Sequence, residues 1–210
     1  LVASYVIVGT GKTMLLDPGF PSSVPTVLEE MGNAGFAPDK LDYIAITHSH
    51  IDHAGGVGII AARAPNARVI AHQRGSFYLR NSAKIAGGSS MVFGELAKDL
   101  GMPVDVPSER IDLVGDGDVV SLGGKEIEML YTPGHSGDHT SMFERSDGIL
   151  FTGDTGCLHY PALGNVLIPA GSPPIYRSDF IAEELRRLHA LRPRKVLTPH
   201  FGEAGGDPAD

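Results

Sequence analysis

Residues 47–56 read THSHIDHAGG, so that His48, His50, Asp52 and His53 crowd into six positions between an apolar run and a glycine pair. Imidazole nitrogen and carboxylate oxygen are donors that Zn(II), Fe and Mn accept, and four of them on one short loop can reach two ions. In an extended segment His48 and His50 point the same way and pinch one ion, whereas Asp52 and His53 turn toward a second. Gly55 and Gly56 let a following helix begin close beside them.

Three further donors stand at matching places. His135 lies in TPGHSGDH, Asp154 in LFTGDTG and His200 in LTPHFG, each just after a predicted strand. Side chains delivered to one end of a layered α/β fold converge on one crevice. Seven such ligands serve two divalent ions, most simply zinc with iron or manganese as alternatives, with one aspartate between them. The two ions of hydrolytic sites of this kind stand about 3.5–4 Å apart.

The remaining pattern supplies the strands and helices. SYVIV and KTMLLD form a hairpin around GTG, a helix runs over VPTVLEEMGNAGF to Gly35, and LDYIAIT is a strand that delivers His48. The motif then occupies a loop, AGGVGIIAARAPNA a helix that Pro65 ends, and ARVIAH a strand; this order is an α/β signature. Residues 72–108 read as a helical insertion over one face, with helices near GSFYLRN and MVFGELAKDLG around a Gly/Ser-rich break. RIDLV, DVVSL, KEIEMLYT, HTSMFER and GILFTG are short strands. Residues 155–176 hold no Lys, Arg, Asp or Glu and read as an apolar loop, serving as a lid, a substrate wall or a homodimer contact. Ser178 caps a helix over DFIAEELRRLHALRP with Ile181, Leu185 and Leu188 as its apolar stripe, and KVLTP delivers His200. One domain accounts for residues 1–210.

The HxHxDH loop, the TPGH turn, the GD after a strand and the final strand-borne histidine resemble, in order and over nearly the whole chain, the metallo-β-lactamase superfamily. The resemblance implies a four-layer αββα sandwich. It assigns His48, His50 and His135 to one metal, Asp52, His53 and His200 to the other, and Asp154 to a bridge between them. An aspartate at position 154 resembles the hydroxyacylglutathione hydrolase and lactonase branch rather than the antibiotic-degrading members, although Cys157 stands where lactonases place a tyrosine.

The expected activity is hydrolysis of an ester, thioester or lactone by a metal-bridging hydroxide, with Asp154 and Asp52 as catalytic carboxylates. His139 is a substrate contact, a partner that orients a ligand or a structural residue, and His139, Tyr160 or Tyr176 donates a proton or hydrogen bond to the leaving group. Phosphodiester or phosphotriester hydrolysis, di-iron redox chemistry and a non-catalytic metal-binding or ligand-sensing module are the competing readings. Arg74, Arg80, Lys84 and Arg177 are candidates to receive a substrate carboxylate, while His72 and His189 are read as structural. The expected partner is a small molecule. A net charge of -8 argues against nucleic acid, whose binding is driven by clustered Lys and Arg. No apolar run approaches the roughly 20 residues of a membrane span. With Cys157 as the lone cysteine, no intrachain disulfide can form and a cytoplasmic setting is expected. The chain opens on Leu1 rather than Met and stops ten residues after His200, as a segment of a longer protein does.

Overall fold

The computed structural model describes residues 2–160, 166–171, 177–200 and 202–204. A first sheet holds β1 (Tyr5–Val8), β2 (Thr13–Leu16), β3 (Tyr43–Ala45), β4 (Arg68–His72) and β5 (Ile111–Val114) in that order, antiparallel at β1–β2 and parallel thereafter. The second contains β6 (Val119–Ser121), β7 (Glu126–Tyr131), β8 (Thr140–Glu144), β9 (Ile149–Phe151), β12 (Lys195–Thr198) and β13 (Gly202–Glu203). Its order is β13-β12-β9-β8-β7-β6, with β12 parallel to β9. Between β9 and β12, β10 (Cys157–Tyr160) and β11 (Val166–Pro169) form a separate antiparallel ribbon.

Alternation along the strands explains the stacking, because successive side chains point to opposite faces. Met14, Leu16, Ala45 and Ile70 of the first sheet meet Ile127, Met129, Met142 and Phe151 of the second in one buried cluster. Their neighbours Leu15, Ile44, Val69 and Ala71 face the other way, onto α1 (Val24–Asn33), α2 (Ile51–Ala54), α3 (Val57–Arg63) and α5 (Ser82–Phe93). Leu130, Phe143 and Leu150 pack outward on Leu188 of α6 (Ser178–Ala190). The result is the expected αββα sandwich.

Four local expectations are corrected. The metal-loop motif is extended only as far as His50; Asp52 and His53 lie on the first turn of α2. The Gly/Ser-rich stretch does not break a helix, because Gly87, Gly88, Ser89 and Ser90 sit inside α5. There the Ser89 and Ser90 hydroxyls donate to the carbonyls four residues back, and buried Ile85 and Ser89 anchor the helix. It follows the short α4 (Ser76–Leu79). The apolar stretch after Asp154 is in part the β10–β11 ribbon rather than a plain loop. Finally, Ser178 is the first residue of α6, and Arg177 stands at the capping position without a side-chain capping bond among the described residues. The buried stripe there is Ile181, Glu184 and Leu188, with Leu185 exposed. Among the described residues, no helix is long and apolar enough to cross a membrane.

Candidate metal centre

Five strands deliver residues to one edge of the sandwich. β2 leads into Asp17, β3 into His48, β7 into His135, β9 into Asp154 and β12 into His200. The two sheets are tied at this edge where the Thr140 amide donates to the Thr47 carbonyl at 2.8 Å.

The donors fall into two groups, His48 with His50, His135 and Asp154, and Asp52 with His53 and His200; within each group the ligand atoms lie within 4.8 Å of one another. All seven residues expected as ligands are therefore brought together. In the first group His50 Nδ1 stands 2.8 Å from His48 Nε2 and 3.1 Å from His135 Nε2. Asp154 lies between the groups. Its Oδ2 is 3.3 Å from His135 Nε2, 3.5 Å from His53 Nε2 and 3.9 Å from His48 Nε2, and its Oδ1 is 3.4 Å from His200 Nε2. Asp52 Oδ2 lies 3.5 Å from His53 Nε2 and 3.6 Å from His200 Nε2.

Hydrogen bonds on the far side of the rings set which nitrogen faces inward. Thr47 donates its hydroxyl proton to Asp17, so the His48 Nδ1–H donates to Thr47 Oγ1 at 3.1 Å and leaves Nε2 unprotonated. His53 Nδ1–H donates to Asp17 Oδ2 at 3.0 Å. His135 Nδ1–H donates to the Ala170 carbonyl at 2.8 Å, which ties the segment after β11 to the site. A ligand imidazole held this way presents its lone pair in a fixed direction. Asp17 has φ 50, a conformation that Asp tolerates better than most residues, and its Oδ1 also accepts the Thr47 amide at 2.8 Å.

The charges are unbalanced by burial. Desolvation drives His48 well below the ordinary imidazole pKa and lowers His50, so both are neutral near pH 7. Burial opposes protonation of His53 as well, but Asp52, Asp154 and Asp17 outweigh it and hold its pKa well above the ordinary value. Burial would raise Asp52, yet His53 beside it brings that carboxyl down to about 2. The same contest, again won mainly by His53, leaves Asp154 well below the carboxylate range.

These residues suit divalent cations. Two buried atoms in their midst, His53 Nε2 and Asp154 Oδ1, make no hydrogen bond among the described residues, an arrangement that is costly unless a cation satisfies them. Five imidazoles and two carboxylates form the nitrogen and oxygen donor set that zinc, iron or manganese accept.

His139 is wholly buried behind Asp154 rather than open to substrate. Its Nε2 accepts the Asp154 amide at 2.8 Å, so its proton is on Nδ1 and is donated to Thr132 Oγ1 at 2.8 Å. Gly153 makes room for this contact: with φ 55, a Cβ there would stand 2.3 Å from His139 Nε2. Tyr160 is part of β10, but its side chain and that of Cys157, like all of Tyr176, lie outside the described residues. His72 is buried and stacks on Tyr131 with ring centroids 4.5 Å apart, and His189 is exposed on α6. Of the basic candidates, Arg74 donates to Tyr131 Oη and the Gly137 carbonyl, and Arg177 is paired with Asp179.

Sequence reasoning missed Asp17, Asp138 and Glu184. Asp138 Oδ2 accepts the Ser49 amide at 2.9 Å and so joins the TPGH segment to the HxHxDH loop. Glu184 Oε1 accepts the Gly134 amide at 2.7 Å and Oε2 the Thr155 hydroxyl at 3.1 Å. The signal for Glu184 was a charged residue three after Ile181 and four before Leu188, on the buried helix face.

Comparison with known proteins agrees with this geometry. A family model described as "Metallo-beta-lactamase superfamily" matches residues 1–200. The "Metallo-beta-lactamase fold-containing protein ST1585" of Sulfurisphaera tokodaii is 30% identical over 94% of this chain and 72% of its own length. The crystal structure of ST1585 superposes with a TM-score of 0.81 at 29% identity, covering 99% of this chain and 76% of that one. A "UPF0173 metal-dependent hydrolase" of Aeropyrum pernix is 28% identical over 95% of the chain and 79% of its own length. A hydroxyacylglutathione hydrolase of Maricaulis maris is 32% identical over 70% of the chain, which spans only 43% of that relative.

Proposed function

The chain belongs to the metallo-β-lactamase superfamily, and from that premise we propose that it is a metal-dependent hydrolase that uses two divalent ions to cleave a carboxylic ester, thioester or lactone. The observation that carries this reading is the Asp154 carboxylate, which faces His48 and His135 of one donor group and His53 and His200 of the other. His48, His50 and His135 would hold one ion, Asp52, His53 and His200 the second, with Asp154 shared. Bound divalent ions supply Lewis acidity and a water that ionises near pH 7 instead of 15.7.

The chain's own residues prepare that chemistry. Asp154 stays anionic, because His53 and its other imidazole neighbours hold its pKa well below the carboxylate range, and so it can accept a hydrogen bond from the attacking water and orient it. His139 fixes the Asp154 backbone from behind. Asp17, Thr47 and the Ala170 carbonyl aim three imidazole lone pairs inward, so little reorganisation is left for the reaction.

The substrate class rests on the uncharged segment 155–176, which reaches the site through Ala170 and supports a substrate with apolar groups. The likeness to a hydroxyacylglutathione hydrolase supports the thioester member of that class. Zinc-loaded protein should be assayed with a thioester, a lactone, a p-nitrophenyl ester and a phosphodiester. Turnover of one of the first three, lost in Asp154→Ala, is expected. Preference for the phosphodiester would replace the substrate class, and silence toward all four would overturn the hydrolase reading.

A further inference from the structure

We propose that Glu184 of α6 is a positioning residue that sets the separation of His135 and Asp154, and with it the affinity of the first donor group for its ion. The inference rests on the metal-centre reading above. A carboxylate in the buried stripe of a helix, between Ile181 and Leu188, costs desolvation that an apolar residue would avoid. Burial does disfavour its charged form. What offsets the cost is a pair of donors, the Gly134 amide at 2.7 Å and the Thr155 hydroxyl at 3.1 Å.

Each donor belongs to the immediate chain neighbour of a ligand. Gly134 precedes His135, and Thr155 follows Asp154. One carboxylate therefore holds the two loops from the helix side and spans 50 residues of sequence to the first and 29 to the second. The fit at Gly134 is close: a Cβ there would stand 2.5 Å from Ile181 Cγ1 and 2.9 Å from Glu184 Oε2, so the loop backbone is pressed against α6. Thr155 Oγ1 also lies 3.3 Å from His139 Nδ1, and the opposite nitrogen of that ring accepts the Asp154 amide. Glu184 thus reaches Asp154 by two routes, through the chain and through His139.

α6 is itself fixed to the same end of the second sheet, since Arg187 donates to Asp116 Oδ1 and to the Tyr131 carbonyl. A rigid helix carrying a two-pronged acceptor defines the spacing of whatever it grips. The second group draws on α2 and on the segment after β12 and shares with this grip only Asp154, whereas the first group has both His135 and Asp154 in it, so the first group takes the larger effect.

The test is metal binding rather than turnover. Wild-type, Glu184→Ala, Glu184→Gln and Thr155→Val proteins are titrated with zinc against a chromophoric chelator and with cobalt(II) followed by its visible spectrum, alongside thermal melts. For Glu184→Ala the first-group ion should weaken by roughly 10–100-fold, with an altered cobalt spectrum and a smaller loss at the second group, which shares only Asp154. Glu184→Gln, which keeps a carbonyl acceptor, should recover most of the affinity, and Thr155→Val should fall between. Glu184→Ala protein that binds both ions as wild type does, with only a lowered melting temperature, would overturn the proposal. If that variant does not fold, wild-type binding by Thr155→Val would do so instead. Failure of the wild-type protein itself to bind zinc would sink the metal-centre reading and is thereby distinguishable.

Discussion

Asp17 and His53, 36 residues apart in sequence, are joined by a 3.0 Å hydrogen bond from His53 Nδ1 to Asp17 Oδ2, and the same carboxylate accepts the amide and hydroxyl of Thr47. One buried acid therefore fixes a ligand ring and the start of the ligand loop together. Asp17→Ala should lower zinc affinity of the Asp52–His53–His200 group by roughly 10–100-fold. Loss of one partner of a buried charged pair should also cost about 3–5 kcal/mol of folding stability. Chelator competition and urea unfolding read the two effects. Asp17→Asn, which tolerates the same backbone conformation, should lose less stability than Asp17→Ala.

Asp154→Ala should retain the fold and lose activity by more than the roughly 100-fold expected for removing a supporting partner of a ligand. Because Asp154 faces both donor groups, metal analysis should show weaker binding at each. Unchanged stoichiometry and affinity would contradict its shared position.

The metal-free protein should lose stability as pH rises above neutrality. The folded pKa of His53 is raised, so its contribution is fully present below the ordinary value of about 6.5 and disappears as pH climbs through the folded one. Asp52 behaves oppositely: its folded pKa of about 2 gives stability that is present above the unfolded value of about 3.9 and is lost on acidification toward 2. Zinc loading at pH 7 should therefore release protons from the second group and far fewer from neutral His48 and His50. Calorimetry in buffers of different ionisation enthalpy counts them.

Gly153→Ala should destabilise by about 1–3 kcal/mol, the usual cost of forcing a side chain into a left-handed backbone. The added Cβ would also meet His139 Nε2 and displace the acceptor of the Asp154 amide. Urea midpoint and zinc content should fall together, whereas loss of stability alone would separate His139 from metal binding.

The seven candidate ligands were legible in the sequence because His48, His135, Asp154 and His200 each follow a short β-rich run, and His50, Asp52 and His53 stand within five residues of the first of them. The same runs gave an α/β order, and the sandwich came from the resemblance of the motifs to the metallo-β-lactamase superfamily. What could not be read were groups whose importance depends on distant partners. Asp17 looks like a turn residue before Pro18, and only the return of β3 alongside β2 brings Thr47 and His53 onto it. Glu184 resembles any surface acid of an amphipathic helix until its face is fixed, and choosing Leu185 for the stripe rotated the helix by one position. Gly87 and Gly88 carried a helix-breaking signal that tertiary contacts of α5 overrode.

The donors divide along the chain: His48, His50, Asp52 and His53 come from its first third, whereas His135, Asp154 and His200 come from the segments that follow strands of the second sheet. Neither portion alone offers a complete set to either cation. The ions would then act as rivets between two halves, and a chain nicked at the exposed Asp116–Gly117 turn, which separates the two sheets and their donors, should stay whole with zinc bound and come apart when the zinc is stripped away.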